Sequence, residues 1–86
     1  MSLDKLRQEL NQIDDAMMKL FVKRMTISKA VGAIKKSQGL PVFDALREQE
    51  VLIRCQKKLN NESLWPAYKR FMEMMMNLSK DVQNES

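Results

Sequence analysis

Histidine is absent from this sequence, and cysteine occurs once, as Cys55. Without histidine there is no histidine-based catalytic triad. With a single thiol there is neither an internal disulfide nor the ligand set of a zinc centre, so no metal is expected. Glycine and proline occur twice each, too rarely to interrupt long helices, and 44% hydrophobic with 30% charged residues suits a helix-rich globular chain. No apolar run is long enough to span a bilayer, and neither a signal peptide nor a lipidation motif is present, so no membrane partner and a cytoplasmic location are expected. Aromatics make up only 6%. They do not interleave with the basic residues, and no recognition-helix or RNA-binding signature occurs, so no nucleic-acid partner is expected.

What the chain does have is one long uninterrupted helical pattern, from residue 3 to about 37. Leu3, Leu6, Leu10, Ile13, Met17, Leu20, Ile27, Val31 and Ile34 follow steps of three and four, the seam of a helix that packs along its whole length. One seam position is Arg24. No carboxylate lies three or four residues from it, so a buried Arg24 must receive its negative charge from elsewhere or carry a large desolvation cost. The net charge of +4 also belongs to this helix: up to Lys36 there are eight basic and four acidic residues, and beyond it seven of each. That balance suits a small anion.

Ser2 can cap this helix, and Gly39 and Pro41 end it. Asp44 is a plausible cap for a second helix over about 44–59, whose face of Ala45, Leu52, Cys55 and Leu59 also carries Glu48. After the turn Asn60-Asn61-Glu62, Ser63 is expected to cap a third helix over about 63–83, with Pro66 tolerated in its first turn. Leu64, Tyr68, Phe71, Met75, Leu78 and Val82 form its seam. Met72, Met76, Ser79 and Gln83 form the adjoining stripe, which turns polar at its end. The tail Asn84-Glu85-Ser86 is expected to fray. The expectation is therefore one all-α domain, 1–86, of three helices. A chain of 86 residues buries only about 60% of its unfolded surface, and a first helix of about 50 Å is too long to be covered by the rest of the chain.

The inward polar residues suggest how the excess length is used. Arg24 and Lys35 are three turns apart on nearly one face, about 16 Å along the axis, whereas Arg7 is about 25 Å from Arg24. Within a single rod Arg7 cannot join the other two. A second, antiparallel copy of the helix would bring its own Arg7 beside Arg24 and Lys35, cover the seam, and create two equivalent sites.

Arg7, Arg24 and Lys35 on a long first helix, Gly32 just before Lys35, the run Pro41-Val42-x-Asp44-x-x-Arg47-Glu48, and the pair Ser79-x-x-x-Gln83 together resemble the all-helical class of chorismate mutases. The likeness covers nearly the whole chain. It implies an intertwined antiparallel homodimer that converts chorismate to prephenate for phenylalanine and tyrosine synthesis, with no cofactor and no metal. It also implies roles: the partner's Arg7 and Arg24 on the two substrate carboxylates, Lys35 and Gln83 donating to the ether oxygen, and Glu48 on the ring hydroxyl. Asp44 and Ser79 would complete the polar lining, and Arg47 would steady the carboxylate end. Gln83 is uncharged at every pH, so no acidic optimum is expected.

Taken singly, each residue has a plainer explanation. Lys35 is also a cation at a helix C-terminus, Arg7 a surface partner of Asp4, Asp44 a cap, Glu48 half of an ion pair, and Ser79 and Gln83 end-of-helix polar residues. The functional reading rests on their joint spacing. Two alternatives remain at this stage: an isochorismate-pyruvate lyase of the same fold, and a non-catalytic dimeric helical interaction module.

Overall fold

A computed structural model describes residues 2–85. The described residues form three helices and no strand: α1 (Leu3–Ser37), α2 (Ala45–Leu59) and α3 (Trp65–Asn84). None is long and apolar enough to cross a membrane.

The helix ends follow local chemistry. The Ser2 hydroxyl accepts the Lys5 amide at 3.1 Å and caps α1. At the other end the Leu40 amide donates to the Lys35 carbonyl at 2.8 Å and the Gly39 amide to the Lys36 carbonyl at 3.2 Å. Gly39 takes φ +68°, so this is a Schellman stop that needs the one residue without a Cβ penalty. The Asp44 carboxylate accepts the Arg47 amide at 3.0 Å and starts α2.

The start of α3 differs from the expectation. Ser63 does not cap it: α3 begins at Trp65, and the carboxamide oxygen of Asn61 accepts both the Ser63 hydroxyl at 2.9 Å and the Leu64 amide at 3.1 Å. The Asn61 side chain, closing onto the hydroxyl two residues ahead and the amide three residues ahead, takes the capping place expected for the serine. Pro66 sits in the first turn of α3 as expected. The tail also differs, since Asn84 is still helical and the Glu85 amide bonds the Asp81 carbonyl at 3.2 Å. Ser86 lies outside the described residues.

In the packing, α3 lies between the other two helices. It contacts both, while no Cα of α1 lies within 8 Å of a Cα of α2. The face of α1 that meets α3 is not the leucine seam but a strip of small residues, Ser28 and Gly32, both buried. The reason is steric: a Cβ on Gly32 would lie 2.8 Å from the Gln83 Cα, so only glycine lets the two backbones come this close. Among the described residues, the buried apolar ones are Cys55, Met72, Met75 and Met76.

The seam itself is uncovered. Every residue from 2 to 23 is exposed, including Leu10 at 57% and Ile13 at 54%. The chain measures 54 × 26 × 15 Å with a radius of gyration of 15.9 Å, against about 12 Å for a compact domain of this length. Its accessible surface is 7176 Å², about 1,900 Å² more than a compact monomer of the same mass exposes.

Candidate functional site

Where the C-terminal third of α1 runs beside α3, the loop after α1 and the first turns of α2 close a cavity of about 290 Å³. Arg24, Lys35, Asp44, Arg47, Glu48, Ser79 and Gln83 all line it. Seven of the eight residues singled out in the sequence therefore meet in one place. The eighth, Arg7, is exposed on the far part of α1 and does not belong to the cavity of its own chain.

The stripe on α3 and the small-residue strip on α1 hold the deepest group. Arg24 is half-buried, and its Nη1 donates to the Ser79 hydroxyl and, at 3.4 Å, to the Met75 carbonyl. The buried Ser28 hydroxyl also donates to Ser79 Oγ, at 3.1 Å. Ser79 thus uses both lone pairs as acceptors, and its own proton is left to donate to whatever occupies the cavity. Among the described residues no carboxylate forms an ion pair with Arg24. Its partners are a hydroxyl and a carbonyl, which orient the guanidinium without cancelling its charge.

Lys35 is fixed from the other side. Its Nζ donates to the Val42 carbonyl at 2.8 Å, which holds the loop after α1 against the cavity and leaves two ammonium protons for a ligand. Asp44 spends one oxygen on the α2 cap. Arg47 pairs with Glu50 at 3.6 Å, both side chains about two-thirds exposed (66% and 68%), a pairing too solvated to hold the guanidinium away from an anion. Glu48 pairs with Lys80 at 3.0 Å, and Lys80 Nζ also sits 4.9 Å from the centre of the Phe43 ring.

Gln83 closes the far end. Its Oε1 is buried and has no hydrogen-bond partner among the described residues, an arrangement costing about 1–3 kcal/mol. A half-turn of the amide places the Nε2 donors at the same point. The site therefore offers an unused amide, a free hydroxyl proton and uncancelled cations. Its lining carries four cationic side chains (Arg24, Lys35, Arg47, Lys80) against two anionic ones (Asp44, Glu48), a surplus that fits a dianion.

Two polar lining residues, Ser28 and Lys80, were not anticipated. Ser28 lies one turn after Arg24 on the face that leads to Lys35, so helical spacing could have found it. Lys80 follows Ser79 directly, but a lysine near a helix end carries no signal until its partner on another helix is known.

The profile of the type II chorismate mutases matches residues 6–84. The chain belongs to this chorismate mutase family. A chorismate mutase of Methanocaldococcus jannaschii is 33% identical over 55 residues, 64% of this chain and 56% of that protein. A 3-dehydroquinate dehydratase of Pyrobaculum aerophilum is 32% identical over 94% of this chain, and a bifunctional chorismate mutase/prephenate dehydratase of Aquifex aeolicus is 27% identical over 94% of it. This chain spans only about a quarter of either of those two proteins (24% and 25%). Among solved structures, a conserved hypothetical protein of Pyrococcus furiosus superposes with a TM-score of 0.78 at 37% identity, covering 94% of this chain and 93% of that one. The family match, residues 6–84, runs nearly from the start of α1 to the end of α3, so the fold and the family rest on the same residues.

Proposed function

We propose that the protein is a chorismate mutase that acts as an antiparallel homodimer in the cytoplasm, supplying prephenate for phenylalanine and tyrosine synthesis. The observation that carries this reading is the convergence of Arg24, Lys35, Glu48, Ser79 and Gln83 on one cationic cavity, with Arg7 left on an uncovered stretch of α1.

The reaction is an intramolecular Claisen rearrangement. The ether carbon–oxygen bond breaks as a carbon–carbon bond forms, within one molecule, and no proton or external electron pair is exchanged. A protein can accelerate it by holding the enolpyruvyl arm over the ring and by stabilising negative charge that builds on the ether oxygen. Arg24, oriented by Ser79 and Met75, takes one carboxylate, and the partner's Arg7 takes the other, each through a guanidinium fork. Lys35 and the Gln83 amide donate to the ether oxygen, which gives the unsatisfied amide of Gln83 its partner. Glu48 accepts the ring hydroxyl, Asp44 and Ser79 complete the lining, and Arg47 steadies the carboxylate end.

The dimer is supported by surface area. An excess of about 1,900 Å² per chain is what each partner contributes to an obligate homodimer interface. Beside α3, Met17, Phe21, Tyr68 and Phe71 also line an open apolar groove of about 670 Å³, deep enough for side chains of a second α1.

The test is chorismate consumption with product identification, on wild type beside Arg24→Ala and Lys35→Ala. Prephenate is the expected product, and each variant should lose about 10²–10³-fold or more in kcat/KM. Salicylate plus pyruvate from isochorismate would reassign the cavity to the lyase reaction. A folded dimer inert on both substrates would leave only an interaction module.

A further inference from the structure

Lys80 is the one charged residue of the cavity lining to which the mutase reading gives no task. Its Nζ lies 3.0 Å from Glu48 Oε2, and the two side chains are only about a quarter exposed (25% and 28%). The same ammonium stands over the Phe43 ring, 4.9 Å from its centre. One side chain of α3 thereby touches both α2 and the loop that precedes it, at the cavity wall.

We infer that Lys80 is a substrate-positioning residue that acts through Glu48, an inference that rests on the mutase reading of this cavity. Glu48 emerges on the inner face of α2, one turn before Val51 and Leu52, which are half-buried. A carboxylate held there alone would face an incoming dianion across little water, where repulsion between like charges is strong. Lys80 cancels that charge. It also engages only Oε2 of the carboxylate, so Oε1 remains to accept a hydroxyl proton from the substrate ring. The contact with Phe43 limits the rotamers of the lysine, which reduces the entropy lost in holding the pair. Lys80 therefore converts a repulsive carboxylate into an oriented acceptor without approaching the reacting atoms itself.

The experiment is a double-mutant cycle on the intact protein, read as KM and kcat for chorismate, with folding checked by circular dichroism. Lys80→Met and Lys80→Gln should each raise KM about tenfold while kcat changes less than about threefold, the pattern of lost ground-state binding. Lys80→Arg should return KM to within about twofold of wild type, since a guanidinium keeps the charge and the reach. In a Glu48→Gln background the same Lys80 substitutions should change KM less than about twofold, because there is no carboxylate left to cancel. An unchanged KM in the wild-type background overturns the inference. So does a tenfold rise that persists undiminished beside Glu48→Gln, which would make Lys80 a direct substrate contact. If wild type does not turn chorismate over, the mutase reading falls separately. The same cycle is then read on calorimetric dissociation constants for chorismate and isochorismate, and a wild type that binds neither overturns this inference as well.

Discussion

The two parts of α1 solve opposite problems with one continuous backbone. From residue 2 to 23 the helix carries leucine, isoleucine and methionine at seam spacing, and every side chain is exposed. From Arg24 to Ser37 its buried residues are a serine and a glycine, and this is where α3 docks and the cavity forms. The more hydrophobic part is thus the part left uncovered. Within the chain, α1 and α3 are brought together by small residues that permit backbone contact. The large apolar residues are spent on a surface that the chain does not cover.

The comparison can be broken most drastically at the seam. Ile13→Lys places a charge where a second α1 would pack, and an unpaired buried ammonium costs several kcal/mol. Analytical ultracentrifugation should show loss of the dimer, and the thermal transition should fall or vanish. The same substitution at Ile53, on the exposed outer side of α2, should leave the association state intact. A dimer that survives Ile13→Lys would mean that the uncovered stretch is not its interface.

A second test asks whether the two parts of α1 meet across chains. Arg7→Ala and Arg24→Ala proteins should each be nearly inactive. Mixed in equal amounts under conditions of demonstrated exchange, half the dimers are hybrids with one intact site, so activity should rise to about a quarter of wild type. No recovery would confine each site to one chain.

The remaining tests sharpen the C-terminal part. Gly32→Ala drives a methyl against the Gln83 backbone, and the helices must separate. A loss of about 1–3 kcal/mol of stability by denaturant titration is expected, together with a fall in kcat as the Gln83 amide leaves the position proposed for it at the ether oxygen. Ser28→Ala is the mildest. It removes one of the two donors to Ser79, which should cost about 1 kcal/mol or less and reduce kcat/KM a few-fold, through looser aim of Arg24.

The three helices, the capping roles of Ser2 and Asp44, and the inward stripe ending in Ser79 and Gln83 were all legible in the sequence, because caps and periodicity are local properties. The site was legible in its residue types and their spacing along each helix. What could not be read was which side of α1 receives α3. Hydrophobic spacing points to the leucine seam, yet the contact is made at Ser28 and Gly32, since close helix packing selects for the absence of bulk and not for hydrophobicity. The turn before α3 was misassigned for a related reason. Pro66 offers no amide proton three residues after Ser63, whereas three residues after Asn61 the Leu64 amide is free to donate to its carboxamide oxygen. The Glu48–Lys80 pair joins residues 32 positions apart on different helices, so no spacing rule announces it.

The buried apolar centre of the chain is built from Cys55, Met72, Met75 and Met76, and all four carry sulfur. Peroxide converts a thioether into a polar, chiral sulfoxide that cannot remain in such a place without distorting it. Oxidative damage would therefore reach the shape of the protein before it reached its chemistry: α3 would loosen from its neighbours while the arginines, the lysines and Gln83 remained chemically untouched. For this protein a reducing environment protects architecture, not a reactive group.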